Sequence, residues 1–285
     1  MRKNIFEILE SRYDINNEFK KIKSLFHSNL VIYANVYRGT LTYTYTEMVK
    51  DVFSSWKGRG TCISCENMRQ ELGIDILENK TKITSDEIIE CLEYYENISM
   101  LYMKKILPKL NSYEYKTLPE ANILNCNIDI LLNHLNMEEK YIPKYDAIII
   151  IPKNPAATAV AEISSEDTAM AILMYHHASL KGQLAEKRKL LQSIANEYED
   201  LLKNPIDGFT EYFKTARGML NNLNIRHNNR DGKNKKELVL NLTDLELENW
   251  YDELYQLFLF CVLIKDNKER KDKMAEFLKG LKEKK

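Results

Sequence analysis

The chain has 285 residues, 44% of them hydrophobic and 29% charged, with a formal net charge of −1. That length and apolar content allow a sizeable core. The near-neutral balance excludes a wholly basic nucleic-acid binder but leaves room for a local basic patch. With only 9 Gly and 6 Pro, the composition favours long helices over a many-turned β architecture. Five cysteines, an odd number, argue against a disulfide framework. The opening MRKNIFEILESRYDINNEF carries charges where a signal peptide needs an apolar stretch and has no small-residue cleavage site. No run reaches the roughly eighteen apolar residues that a membrane helix needs. The expectation is a soluble protein of a reducing, cytoplasmic compartment with no membrane partner.

Along the chain, Ile5, Ile8, Leu9, Tyr13, Phe19, Ile22, Leu25 and Phe26 recur at helical spacing and predict helix over residues 1–34. GTLTYTYTEMV reads as the entry to a further helix capped by Thr44 or Thr46. Residues from Cys65 to Leu72 form another, with Gly73 as its C-cap. Thr84 and Glu87 make a capping box that opens a helix to Leu107. The polar, proline-bounded stretch PKLNSYEYKTLPEANI predicts a domain boundary near residue 115, dividing a helical domain 1–115 from a second domain 116–285. In that second part NIDILLNHLN reads as a short helix. YDAIIIIP and TAVAEI read as two short strands of a β-hairpin near 146–163. Residues from Ser165 to Tyr198 predict one long helix carrying His176, His177, Leu180, Leu184, Lys187, Leu191 and Ile194. Further helices follow from Phe209 to Leu223 and from the capping box Thr243/Glu246 onward, with Trp250 on a broad apolar face. The lysine-rich tail reads as a separate short helix. The fold class expected is mainly α: a multi-helix bundle with one small β-hairpin in the C-terminal half.

The chemistry-bearing candidates are few. Cys62 and Cys65 make one CxxC, but structural zinc uses four soft ligands, and the bland reading is two small residues at a helix start. His176 and His177 are adjacent, whereas metal pairs on one helix face sit a turn apart. The chain lacks the glycine-rich phosphate loops and the nucleophile-elbow pattern, so neither a metal nor a cofactor is expected. Residues 217–236 stand apart. Arg217, Arg226, Arg230, Lys233, Lys235 and Lys236 concentrate positive charge around Asn228 and Asn229, and such groups hold phosphates and base edges. His227 titrates near neutrality and suits general acid–base work. Metal-independent RNA cleavage needs little more than such a group with cations on the phosphorane, here Arg226 above all. The competing reading is a solvated turn, because Asn, Asp and Gly are turn residues and lysines keep loops soluble.

Residues 165–265, a long helix, a second helix, the polar turn containing His227-Asn228, and the Thr243-capped helix LTDLELENWYDELYQLFLF, resemble the HEPN superfamily of prokaryotic defence and abortive-infection RNases. The arginine which that family sets a few residues ahead of its histidine is replaced here by Asn221 and Asn222, and Arg217 lies further upstream. The resemblance implies a helical bundle, a homodimer with two such turns across a shared cleft, and RNA as partner. Two readings stay open. One is an RNA-directed phage-defence or toxin-type factor, cleaving RNA through His227 and Arg226 if it is an enzyme. The other is a non-enzymatic nucleic-acid- or protein-binding protein of a mobile element.

Overall fold

A computed structural model describes residues 4, 12–28, 31–35, 39–109, 115–117, 119–227 and 236–283. The protein is mainly α with a small β-hairpin, as expected. Its contacts divide it into two compact units, Met1–Lys153 and Asn154–Lys285. The division falls after the hairpin, downstream of the proline-bounded stretch that the sequence reading had favoured.

The first unit begins with α1 (Ile15–His27), capped by Asp14, whose carboxylate accepts from the Asn17 N–H at 2.8 Å. The helix predicted to run on to residue 34 stops earlier: Val31–Asn35 is a strand, β1. It pairs antiparallel with β2 (Gly39–Tyr43) and with β3 (Tyr115–Thr117), so β1 is the middle strand. β-branched Val31 and Ile32 favour the extended state here. Thr44 then opens α2 (Tyr45–Phe53) with a capping box to Glu47. α3 (Cys65–Glu71) ends, as expected, at left-handed Gly73, which leads into α4 (Ile74–Glu78).

The organising element is α5 (Ser85–Leu101), opened by the expected Thr84/Glu87 box. It is buried on nearly every face from Ile88 to Leu101, so it lacks the one-sided stripe of a surface helix. Tyr94 and Tyr95 pack on Phe26, the Phe26–Tyr95 rings stacking at 4.2 Å. A π turn, Tyr102–Ile106, follows directly.

α6 (Pro119–His134) leads into the hairpin formed by β4 (Met137–Ile142) and β5 (Ala147–Pro152), paired from Met137↔Pro152 to Ile142↔Ala147. The isoleucine strand is therefore where the sequence placed it, but its partner precedes it. TAVAEI is not a strand. It lies in α7 (Pro155–Glu162), where Asn154 caps and Pro155 occupies the first turn, a strong helix-start pair. The charges of MEEKYI concealed β4. The free edge of β5 is closed by side chains of α5. The Asn97 amide donates to Ile148 O and accepts from Ile148 N–H, at 2.7 and 2.8 Å, while Glu93 accepts from Ile150 N–H at 2.7 Å. Backbone groups that a third strand would otherwise satisfy thus find partners.

The second unit is helical. After α7 come α8 (Glu166–Met174), α9 (Leu184–Glu197), α10 (Glu199–Lys203), α11 (Thr210–Asn222), α12 (Glu237–Asn241) and α13 (Asp244–Glu283). The long helix predicted from Ser165 to Tyr198 is broken between α8 and α9. His177 turns extended and caps a short 3-10 turn, its Nδ1 accepting from Ser179 N–H, and Gly182 takes φ 75°. A sidechain cap and a left-handed glycine together outweigh the continuing apolar period. The Thr243/Glu246 box opens α13 as expected. The tail is no separate helix, because α13 runs unbroken for 40 residues. Trp250 is exposed, against expectation, and Leu247, Tyr251, Leu254, Tyr255, Phe258 and Val262 form the buried face with α7, α8, α9 and α11.

Candidate nucleic-acid interface

The basic turn begins where α11 ends. Leu223 N–H closes the helix on Met219 O at 2.8 Å, Asn224 takes φ 61°, and Arg226 N–H reaches back to Leu220 O at 3.0 Å. A left-handed Asn at a helix end is the usual substitute for Gly. Ile225, fully buried, pins the turn into the core. Its carbonyl accepts from the Arg188 guanidinium at 3.1 Å and from the Gln192 amide, both on α9. The turn is therefore tied from below by two polar side chains that sequence reasoning did not single out.

Arg226 and Arg217 then share one neighbour. Arg226 Nη2 lies 3.8 Å from Glu199 Oε1, beyond hydrogen-bond range, and is buried with no hydrogen-bond partner among the described residues. The Glu199 carboxyl is held below the usual range by its Lys203 hydrogen bond and charge, then by Arg226 and, more weakly, Arg217. Lys203, one turn along the same helix, and Arg226, from the turn after α11, thus face one carboxylate, and Arg217 adds its charge to the field there. His227 and Arg217 are exposed, and Lys236, also exposed, precedes α12. Asn228, Asn229, Arg230, Lys233 and Lys235 lie outside the described residues. Of the expected site, Arg226 turns to Glu199, a residue that was missed, Arg217 acts on the same carboxylate by its charge, and His227 is exposed at the surface. One signal was available: Glu199 opens the short helix after the break at Tyr198, in phase with Lys203 one turn on.

No protein-family profile, curated protein or solved structure matches this chain. The assignment of a site therefore rests on the residues alone.

Titratable groups also collect elsewhere among the described residues. In the second unit, Lys187 Nζ lies 2.8 Å from Glu248 Oε1 and 2.8 Å from Asp252 Oδ1, with its side chain almost fully buried. Glu248 also accepts from Gly182 N–H at 2.9 Å. Burial would raise its carboxyl, but the Lys187 and Gly182 hydrogen bonds and the Lys187 charge prevail and lower it. Tyr175 stacks on Tyr255 at 4.2 Å, and the His176 ring meets both edge-on at 4.9 Å. Burial lowers His176 below its ordinary value, against the opposing pull of Asp252. This cluster clamps the α8–α9 break onto α13. A lysine within the apolar period of α9 was its sequence signature. In the first unit, burial with the charges of Glu139 and Asp129 pushes Glu96 up to about 9, and burial with Asp129 pushes Glu139 to about 7.

Among the described residues no His, Cys, Asp and Glu group is arranged to hold a metal ion. Cys65 is buried at the start of α3, and burial pushes its thiol up to about 12, opposite to the shift a reactive thiolate needs. Among the described residues, no helix is long and apolar enough to cross a membrane.

Proposed function

We propose that the chain is an RNA-directed factor of the phage-defence or toxin type, which holds RNA phosphates at the basic turn after α11. One observation carries this reading: Arg226, on the turn after α11, reaches toward the partly exposed carboxylate of Glu199 that Lys203 holds on α10, and the charge of Arg217 acts on the same carboxylate. An RNA phosphate presents the same anionic oxygens, and Arg217, whose side chain is exposed, is open to it. Lys236, exposed ahead of α12, is a further cation of the same stretch of sequence. Because such contacts release counterions, affinity falls steeply with salt.

Binding to a labelled single-stranded RNA over a salt series tests this. Arg217→Gln with Lys236→Gln should weaken binding at low salt and reduce the salt slope by about 1 to 2, roughly one per lost phosphate contact. Binding that ignores salt, or is unchanged in the double variant, removes the reading.

A second reading, cleavage, is favoured by the exposed His227, the residue next to Arg226 in the chain. There His227 takes the 2′-hydroxyl proton as that oxygen attacks phosphorus, Arg226 offsets charge on the phosphorane, and the P–O5′ bond breaks to leave a 2′,3′-cyclic phosphate and a 5′-oxygen that takes a proton from water. A homodimer with two turns across one cleft belongs to this reading. Products that vanish in His227→Ala while RNA affinity persists identify an enzyme; intact RNA with the unaltered protein identifies a binder.

A further inference from the structure

The last third of α13 leaves the core of its unit. Beyond Ile264 its side chains are exposed almost without exception. Four of them are large and apolar: Met274 (65% exposed), Phe277 (67%), Leu278 (56%) and Leu281 (52%). Their spacing of three, one and three places them on one stripe of a helix with about 3.6 residues per turn. A contiguous apolar stripe in water marks a contact surface.

The charges around the stripe are sorted. Lys271 and Lys273 flank it on opposite sides, and Arg270 continues its line one turn earlier, bonded to Asp266 at 2.6 Å. Glu269, Asp272 and Glu276 lie on the opposite face, with Lys279 among them. Beside the stripe itself the rim is basic, through Lys271 and Lys273, while Asp266, on the stripe's line two turns before Met274, is paired with Arg270. A second copy laid face to face in parallel would set Lys271 and Lys273 against their own counterparts, and that repulsion is destabilising. An anionic surface complements the rim. The stripe is also convex and only about two turns long, which suits insertion into a deformable surface. Lysine stems lie along apolar matter while their ammonium groups reach outward to phosphates.

We propose that residues 265–283 form a peripheral docking helix for an anionic lipid surface, with Met274, Phe277, Leu278 and Leu281 entering the headgroup boundary and Lys271 and Lys273 on lipid phosphates. No membrane span is involved; a helix lying in the interface needs none. This goes beyond RNA binding and uses residues of a different segment.

The full chain is sedimented with vesicles of phosphatidylcholine alone and of phosphatidylcholine mixed with phosphatidylserine. Binding is expected to the mixed vesicles and to fade as salt is raised. Phe277→Ser with Leu278→Ser, and separately Lys271→Glu with Lys273→Glu, should each weaken it by about tenfold or more. Both pairs are solvent-exposed, and circular dichroism verifies that helix content is kept. RNA binding through Arg217 should be unchanged in both variants, so failure of one proposal is separable from failure of the other. The proposal is overturned if the unaltered chain fails to bind mixed vesicles at low salt, or binds neutral vesicles equally. It is also overturned if Phe277→Ser with Leu278→Ser instead dissolves a dimer while vesicle binding stays.

Discussion

Lys187 offers the sharpest test of how the second unit is held together. Its ammonium sits between Glu248 and Asp252, with 5% of its side chain exposed against 10% for Glu248 and 35% for Asp252. Lys187→Met keeps the stem and deletes the charge. Losing one partner of a buried pair typically costs about 3–5 kcal/mol, because the remaining charge is left uncompensated. Asp252 is about a third open to water and recovers part of its solvation, so we place the loss near the bottom of that range, about 3 kcal/mol. Against a domain stability of about 5–15 kcal/mol, that is a large fraction. Adding Glu248→Gln removes the stranded carboxylate yet keeps an acceptor for Gly182 N–H, and should restore about 2 kcal/mol of the loss. Cys261, fully buried on α13, reports on this unit, so the urea midpoint of its thiol labelling in the full chain measures both effects. A single-variant loss under about 0.5 kcal/mol, the level of an ordinary surface change, would refute the argument. So would strict additivity of the two substitutions.

Two further outcomes concern the first unit. Glu96, raised to about 9 by burial and by the charges of Glu139 and Asp129, keeps its proton in the folded chain but loses it in the unfolded chain above about pH 4.3. The folded state then binds more protons, so stability falls as pH rises from about 4.5 to about 9. Glu96→Gln should therefore gain on the order of 2 kcal/mol at pH 8 and little at pH 5, followed by Trp56 fluorescence in a Trp250→Phe background; parallel pH profiles would sink the assignment. Gly58→Ala sets a methyl 2.3 Å from Cζ2 of Trp56, a ring that is 2% exposed and tied through Nε1 to Asp146 O at 2.6 Å. The ring has no room to yield, and a loss of about 1–3 kcal/mol is expected in thermal unfolding; an unchanged midpoint would show that the loop shifts instead.

The fold class and most helix starts were legible because their causes are local. Thr44, Thr84 and Thr243 each find a glutamate three residues on, Gly73 ends a helix with its left-handed backbone, and four isoleucines make a strand. Each choice is settled within a few residues by backbone hydrogen bonding and sterics. The errors came where a distant partner decided. TAVAEI lost its strand reading to the Asn154-Pro155 helix start, since β5 already had β4 beside it. The break between α8 and α9 is held by Glu248, which accepts Gly182 N–H from far along the chain.

The candidate interface divides the same way. By itself the sequence determined that positive charge and an imidazole are concentrated between Arg217 and Lys236, because composition along a segment is local information. Only the tertiary structure decided which of those groups meet. Glu199, held by Lys203, faces Arg226, and Arg188 and Gln192 hold the Ile225 carbonyl of the same turn. A guanidinium pairs with whatever carboxylate the packed helices bring within reach, and helix packing is fixed by apolar faces that carry no record of the charges above them.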